Sequence, residues 1–101
     1  MFEKSWTKIE DILNGIKIGK NNNLCECIYQ IRSSGNIVFM VIRDATSILQ
    51  ATVKKGNLSD NEFKDGKKAL IESSLELKGI VKEDKHAPGG YELQVTGLNI
   101  I

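Results

Sequence analysis

An apolar stretch of this chain contains one aromatic ring and is followed by a run that ends on a polar amide. Together the ring and the amide could hold a nucleobase. Phe39 lies within the run "NIVFMVIRD", and Gln50 closes the following run "SILQ". A phenyl ring can stack on a base, and a side-chain amide can donate and accept in one plane, which suits an edge such as that of uracil. Arg32 could hold a phosphate or stack. The plainer alternatives are that Phe39 is a core residue and that Gln50 only caps a strand end.

No arrangement typical of a catalytic or metal site occurs in the sequence. The single histidine, His86, belongs to no serine–histidine–acid arrangement, and no Gly-Lys-Ser/Thr phosphate loop is present. Cys25 and Cys27 cannot complete a structural zinc site by themselves, although their spacing puts both thiols on one face of a strand. We therefore expect core thiols in a reducing compartment, with no metal, no cofactor and no catalytic residue.

Size and charge limit what the chain could bind. Its 101 residues allow one domain, and a formal net charge of +1 gives no global field that would attract nucleic acid or a membrane. Nucleic-acid binding would therefore depend on a local patch and on contacts to bases. The N-terminal residues lack the apolar run of a secretory signal, and no stretch reaches transmembrane length. These features predict a cytoplasmic protein that does not enter a membrane.

The predicted elements are a short helix, three strands, a second helix and two more strands. Strands are predicted over residues 24–32, 36–43, 48–53, 74–82 and 91–100. The first helix, residues 7–14, is predicted from a Thr7/Glu10 capping box and an apolar stripe that begins at Trp6.

The second helix and two turns complete the predicted elements. This helix, residues 60–72, follows a Ser59/Glu62 capping box and should direct Phe63, Leu70 and Ile71 inward. Two turns are predicted where glycine allows a positive φ, at "SSGN" and at "APGG".

This order of elements is typical of the OB fold, a five-stranded barrel with a helix between its third and fourth strands. We predict an all-β chain with one inserted helix, in which residues 1–20 form the N-terminal helix and lead-in and residues 21–101 form a Greek-key barrel. A ferredoxin-like arrangement needs a helix after its first strand, and the tight turn at Gly35 leaves no room for one. OB barrels hold oligonucleotides across their second and third strands, where Phe39 and Gln50 fall.

Two stretches carry a resemblance to a known family. The stretch "GNIVFMVIRDATSILQATVKK" resembles the strand pair of the anticodon-binding domain of class IIb aminoacyl-tRNA synthetases. The run "IESS" followed by "KEDKHAPGGYELQV" is similar to the asparaginyl branch of that family, in its archaeal and eukaryotic form. The resemblance covers residues 11–101, and it implies an OB-fold domain that binds the anticodon loop of asparagine tRNA.

The resemblance also implies individual roles. Phe39 would stack on the central anticodon base, and Gln50 would bond the same base, a uridine. Arg32 would hold the anticodon stem-loop, and Glu92 in "GGYELQV" would contact a neighbouring anticodon base. Arg43 and Asp44 would organise the turn between the second and third strands and would not touch RNA.

The chain departs from the family in two dipeptides and in length. Glu26-Cys27 stands where many members have Gly-Trp, and Thr46-Ser47 replaces a common Thr-Gly, so that turn lacks a residue with easy positive φ. No class II catalytic motif occurs, so we expect a non-enzymatic fragment of an ATP-dependent asparagine–tRNA ligase, whose dimer would form through the missing catalytic domain. Two alternatives stay open: a free-standing OB protein that binds tRNA or single-stranded nucleic acid, and a protein-docking module.

Overall fold

The computed structural model is a closed five-stranded barrel with one helix inserted between its third and fourth strands. It describes residues 7–15, 19, 21–45 and 47–101. The elements are α1 (Ile9–Leu13), β1 (Asn21–Ser34), β2 (Ile37–Arg43), β3 (Ile48–Lys54), α2 (Asp60–Lys68), β4 (Ser74–Glu83), a 3-10 turn (Pro88–Gly90) and β5 (Tyr91–Ile100). The strands neighbour one another in the order β1-β2-β3-β5-β4, and β4 closes the barrel on β1. The predicted OB fold is confirmed.

Alternation along β2 and β3 decides which side chains fill the barrel. Val38, Met40 and Ile42 are fully buried, and the antiparallel register sets Met40 against Ala51 of β3. Because successive side chains of a strand point to opposite faces, the residues between these core positions lie on the outside. Phe39 is therefore an outer-face residue of intermediate exposure and does not belong to the core.

Local sequence signals place the cap of α2 and two turns where they were predicted. The Ser59 Oγ accepts from the Glu62 N–H at 3.2 Å, and the Glu62 carboxylate accepts from the Ser59 N–H at 3.1 Å, which confirms the capping box. Gly89 has a φ of 75°, and the Gly90 N–H donates to the Ala87 carbonyl at 3.0 Å, as a type II turn requires. Gly35 also adopts the predicted positive φ, 59°.

The first helix is capped by a distant residue, so the prediction that Thr7 and Glu10 form a capping box is wrong. The N-cap is Lys8, whose side chain makes no capping hydrogen bond. The Thr7 hydroxyl donates to the Asn22 side-chain carbonyl instead, at 3.0 Å. The Ile9 N–H at the start of α1 donates to a carboxylate oxygen of Asp44, at 2.8 Å. Trp6, predicted to begin the apolar stripe, lies outside the described residues.

The second helix ends four residues earlier than predicted. Ala69 has an extended backbone with a ψ of 146°, so α2 stops at Lys68. Phe63 is buried as predicted, but Leu70 and Ile71 are 71% and 53% exposed. Their predicted inward positions depended on helical spacing, which does not continue to them.

The two cysteines lie on the outside of β1, so the expectation of core thiols is wrong. Leu24 and Ile28 are buried, and alternation therefore directs Cys25 and Cys27 outward. Cys27 is exposed, and its sulfur lies 3.7 Å from the Ser74 hydroxyl of β4. The two thiols are not joined by a disulfide.

Glu26, between the two cysteines, faces inward beside Asp44. Its Oε2 atom is buried and has no hydrogen-bond partner among the described residues. Burial, followed by the charge of Asp44 and a hydrogen bond to it, raises the pKa of Glu26 from 4.5 to about 7. A raised folded-state pKa means that protonated Glu26 favours the folded chain. This contribution is complete below about pH 4.5 and is lost as the pH rises through about 7.

Replacing Glu26 should therefore stabilise the barrel only at high pH. We expect Glu26→Gln to raise the free energy of unfolding by about 1 kcal/mol near pH 8 and to change it little near pH 5. The gain in the free energy of unfolding stays below the free energy that the full pKa shift corresponds to, because the side chain is partly exposed and solvent screens its charge. Urea denaturation at the two pH values measures it, with exposed Glu83→Gln as the control. An equal effect of Glu26→Gln at both pH values would contradict the inward-facing carboxyl.

Gly79 lies at an irregularity of the β4–β5 ladder, where β5 passes too close for a side chain. A Cβ there would overlap the Gln94 carbonyl group and press on the Leu93 side chain. Gly79→Ala should lower the free energy of unfolding by about 1–3 kcal/mol, because backbone must shift to admit the methyl group. Gly97→Ala is the matched control, since its Cβ would meet only side-chain atoms at 3.3 Å or more. Equal losses in both variants, measured in urea, would count against this close approach.

In the part of the chain that the structure describes, no helix is long and apolar enough to cross a membrane.

Candidate nucleic-acid interface

All four residues predicted to bind RNA lie on one outer surface, formed by β1, β2, β3 and β5. Arg32 of β1 is paired with Phe39 of β2, and Phe39 is paired in turn with Thr52 of β3. In the neighbouring row, Gln50 of β3 is paired with Glu92 of β5 through the only parallel contact among the described strand pairs. The barrel therefore places on one surface residues that are 60 positions apart in the chain, Arg32 and Glu92, with β2 and β3 between their strands.

Arg32 and Phe39 form one aromatic and cationic platform. The guanidinium carbon of Arg32 lies 5.0 Å from the centre of the Phe39 ring, within the range of a cation–π contact. Arg32 is exposed, and Phe39 is half-buried on the same face. Phenyl rings and guanidinium planes both stack on nucleobases, so the pair offers a base two adjacent stacking groups.

The Gln50 amide is held in one orientation by Glu92. Its nitrogen donates to the Glu92 Oε2 atom at 3.1 Å. Because an ionised carboxylate only accepts hydrogen bonds, it is the amide nitrogen that must face Glu92, and the amide oxygen is left to accept from a ligand. The N3–H of uracil is such a donor, whereas N3 of cytosine is an acceptor. This geometry therefore favours a base that carries an imino proton.

Two residues that sequence reasoning missed help to hold the Glu92 carboxylate. The Thr52 hydroxyl, on a residue only 3% exposed, donates to Glu92 Oε2 at 2.6 Å. The Gln94 amide donates to Glu92 Oε1 at 3.4 Å. Thr52 lies two positions after Gln50 and so on the same strand face, which was a usable signal. The β3–β5 pairing that brings Glu92 to them had no local signal in the sequence.

A cavity of about 400 Å³ opens on this surface, within the usual size of small-ligand sites. It is lined by Gln30, Ile31, Arg32, Phe39, Met40, Val41, Gln50 and Ile71. Three of the four predicted residues, Arg32, Phe39 and Gln50, therefore share one cavity. Glu92 is not part of its lining and contacts it through Gln50.

Of the two residues predicted to organise the turn between β2 and β3, Asp44 does so and Arg43 does not. One Asp44 oxygen accepts from the Ser47 N–H at 3.0 Å, and the other accepts from the first residue of α1, as described above. Arg43 instead lies over the ring of Tyr29 on β1, 5.0 Å from its centre, so its predicted place in the turn is corrected. Thr46 lies outside the described residues.

Among the residues that are described, no group of three or more His, Cys, Asp or Glu side chains could hold a metal ion.

Comparison with known proteins finds a matching family model and several sequence relatives. Residues 23–101 match the model of the tRNA anticodon family, described as an OB-fold nucleic acid binding domain. The asparagine–tRNA ligase of Pelotomaculum thermopropionicum is 45% identical over 74 residues, which are 73% of this chain and 17% of that protein. The asparagine–tRNA ligase of Thermoplasma acidophilum is 34% identical over 92 residues, which are 91% of this chain and 21% of that protein.

The solved structures agree with the sequence relatives. The asparaginyl-tRNA synthetase of Pyrococcus horikoshii superposes with a TM-score of 0.86 at 37% identity, over 100% of this chain and 23% of that chain. An aspartyl-tRNA synthetase of Entamoeba histolytica has a TM-score of 0.84 at 24% identity, over 95% of this chain and 21% of that chain, and shows the fold alone. The chain spans about a fifth of the length of the curated relatives it matches.

Proposed function

Because the chain belongs to the tRNA anticodon family of OB-fold nucleic acid binding domains, we propose that it binds the anticodon loop of asparagine tRNA. The asparagine–tRNA ligases among its relatives suggest the parent activity, in which this domain would bind tRNA for a catalytic part elsewhere. The observation that carries the proposal is the shared cavity of Arg32, Phe39 and Gln50, with the Gln50 amide oriented by Glu92.

Each side chain has a role in the proposed complex. Phe39 stacks on the central anticodon base, and the Gln50 amide oxygen accepts from the N3–H of that uridine. Arg32, whose exposed guanidinium lies over the Phe39 ring, neutralises a phosphate of the loop or extends the stack. Glu92 holds Gln50 in place, and its carboxylate also faces a neighbouring anticodon base. The cytoplasm as location and a dimer formed by the catalytic part of the parent are proposals of the same kind.

Titration of a labelled asparagine anticodon stem-loop into the chain, followed by fluorescence anisotropy, tests the proposal. A stem-loop of the same stem with a scrambled loop is the matched ligand control. We expect the chain to prefer the asparagine loop. Equal binding of both loops would favour the general nucleic-acid binder of the sequence alternatives, and binding of neither would favour the protein-docking module.

The salt dependence of this binding should be shallow. The chain has a net charge of +1, and Arg32 is the only cation that lines the cavity as the structure describes it, so few counterions are released. We expect the logarithm of the association constant to fall with the logarithm of salt with a slope of roughly −1 to −3. Arg32→Gln should reduce the slope, whereas Lys64→Gln, exposed on α2, should leave it unchanged. A slope steeper than roughly −5 would contradict a site built mainly on base contacts.

A further inference from the structure

The loop between α2 and β4 exposes two adjacent apolar side chains. Only one of them lines the cavity that contains Arg32, Phe39 and Gln50, called the base cavity below. Leu70 and Ile71 are both largely exposed, which is unusual for large apolar residues of this barrel. Ile71 lines the cavity together with Phe39 and Gln50, whereas Leu70 lines a separate hollow beside α2. The two residues therefore share exposure and chemistry but not location.

The backbone holds Ile71 in this place. The Ser73 N–H donates to the Leu70 carbonyl at 3.1 Å, so Ile71 is the second residue of a closed turn. Glu72, its third residue, has a φ of 75°, a conformation that a residue with a side chain seldom adopts. The Glu72 N–H donates to the Ile28 carbonyl at 2.9 Å, and the Ile28 N–H donates to the Ser73 carbonyl at 3.0 Å. Both hydrogen bonds join the turn to Ile28 of β1, next to the bulge that follows this residue.

We propose that Ile71 is an apolar wall of the base site and contacts the central anticodon base when that base stacks on Phe39. The inference rests on the proposed function and adds to it a residue from outside the sheet. The cavity combines a phenyl ring, an oriented amide and an exposed aliphatic side chain, which together suit a flat heterocycle with apolar faces and a polar edge. A purely apolar protein side chain would leave the amide of Gln50 and the guanidinium of Arg32 without a polar edge to bond.

Substitution of the two neighbours separates a wall from a merely exposed residue. Ile71→Ala should weaken binding of the asparagine stem-loop roughly three- to tenfold. The substitution removes three side-chain carbon atoms that the bound base would partly cover. Leu70→Ala, the matched control, should change the affinity less than about twofold, since single exposed apolar residues contribute little. Equal effects of the two variants would overturn the proposal. Thermal melting checks that both variants fold as the parent chain does.

A spectroscopic measurement tests the contact itself. On titration with the stem-loop, the methyl resonances of Ile71 should shift, and those of Leu70 should not. A stem-loop that is abasic at the central anticodon position should abolish the Ile71 shift. Phe39→Ala separates the two proposals: if it weakens binding while Ile71→Ala and the Ile71 methyls show no effect, the wall is overturned and the anticodon site stands. If the stem-loop does not bind the wild-type chain, both are overturned.

Discussion

Phe39→Ala should weaken binding of the asparagine anticodon stem-loop by about 1–3 kcal/mol, roughly five- to 150-fold, and leave the barrel folded. The ring lies on the outer face of β2, half-buried, so its removal takes away a stacking surface and opens no cavity in the core. The loss of stability should therefore stay well below the about 3–5 kcal/mol of a buried Phe→Ala change. Arg32 also loses the ring over which its guanidinium lies.

The matched control for this variant is a phenylalanine with the opposite placement. Phe63 of α2 is 6% exposed and packs in the core, away from the base cavity. Phe63→Leu should lower the free energy of unfolding and leave the affinity of the folded chain unchanged. Urea denaturation and anisotropy titration of both variants give the two quantities. A Phe39→Ala chain that is folded and binds normally would remove Phe39 from the site.

Gln50→Ala should reduce the preference for uridine over cytidine at the central anticodon position. The amide oxygen is presented to the base because the amide nitrogen is bonded to Glu92, and one such hydrogen bond is worth about 0.5–1.5 kcal/mol. We expect the uridine-to-cytidine affinity ratio, roughly fivefold in the wild-type chain, to fall by roughly two- to fivefold in this variant. Affinity for the uridine loop falls less than in Phe39→Ala, because stacking on the ring remains.

Glu92→Gln tests whether the orientation of the amide sets this preference. A neutral amide at residue 92 can donate as well as accept, so it no longer forces the Gln50 nitrogen to face it. The ratio should therefore fall in Glu92→Gln although Gln50 is present. Gln30→Ala is the control, since Gln30 lines the same cavity on β1, separated from Glu92 by β2 and β3. A lowered ratio in Gln30→Ala, or an unchanged ratio in Glu92→Gln, would count against this account.

Much of the barrel could be predicted because its strands alternate in the simplest way. Alternate burial along β2 and β3 places Phe39 and Gln50 on the outer face, although the uninterrupted apolar run of β2 left a core place for Phe39 open. The same rule, applied to Leu24 and Ile28, would have directed Cys25 and Cys27 outward; the expectation of core thiols instead followed the usual burial of cysteine.

Features that depend on tertiary contacts could not be predicted. The parallel pairing of β3 with β5 brings Glu92 and Thr52 together, and no local pattern announces it. The cap of α1 comes from Asp44, 35 positions away from Ile9. The end of α2 was missed because the apolar pair Leu70 and Ile71 continues the helical spacing, although the backbone is already extended at residue 69.

The affinity of the wild-type chain for stem-loops that differ only in the central anticodon base tests the central claim most directly. Uridine, cytidine and an abasic nucleotide at that position, titrated at one salt concentration, separate stacking from reading of the base edge. We expect uridine to bind more tightly than cytidine by about 1 kcal/mol, roughly fivefold, and the abasic loop to bind most weakly. Equal affinity for all three loops would show that the chain does not read the central base, and would contradict the account.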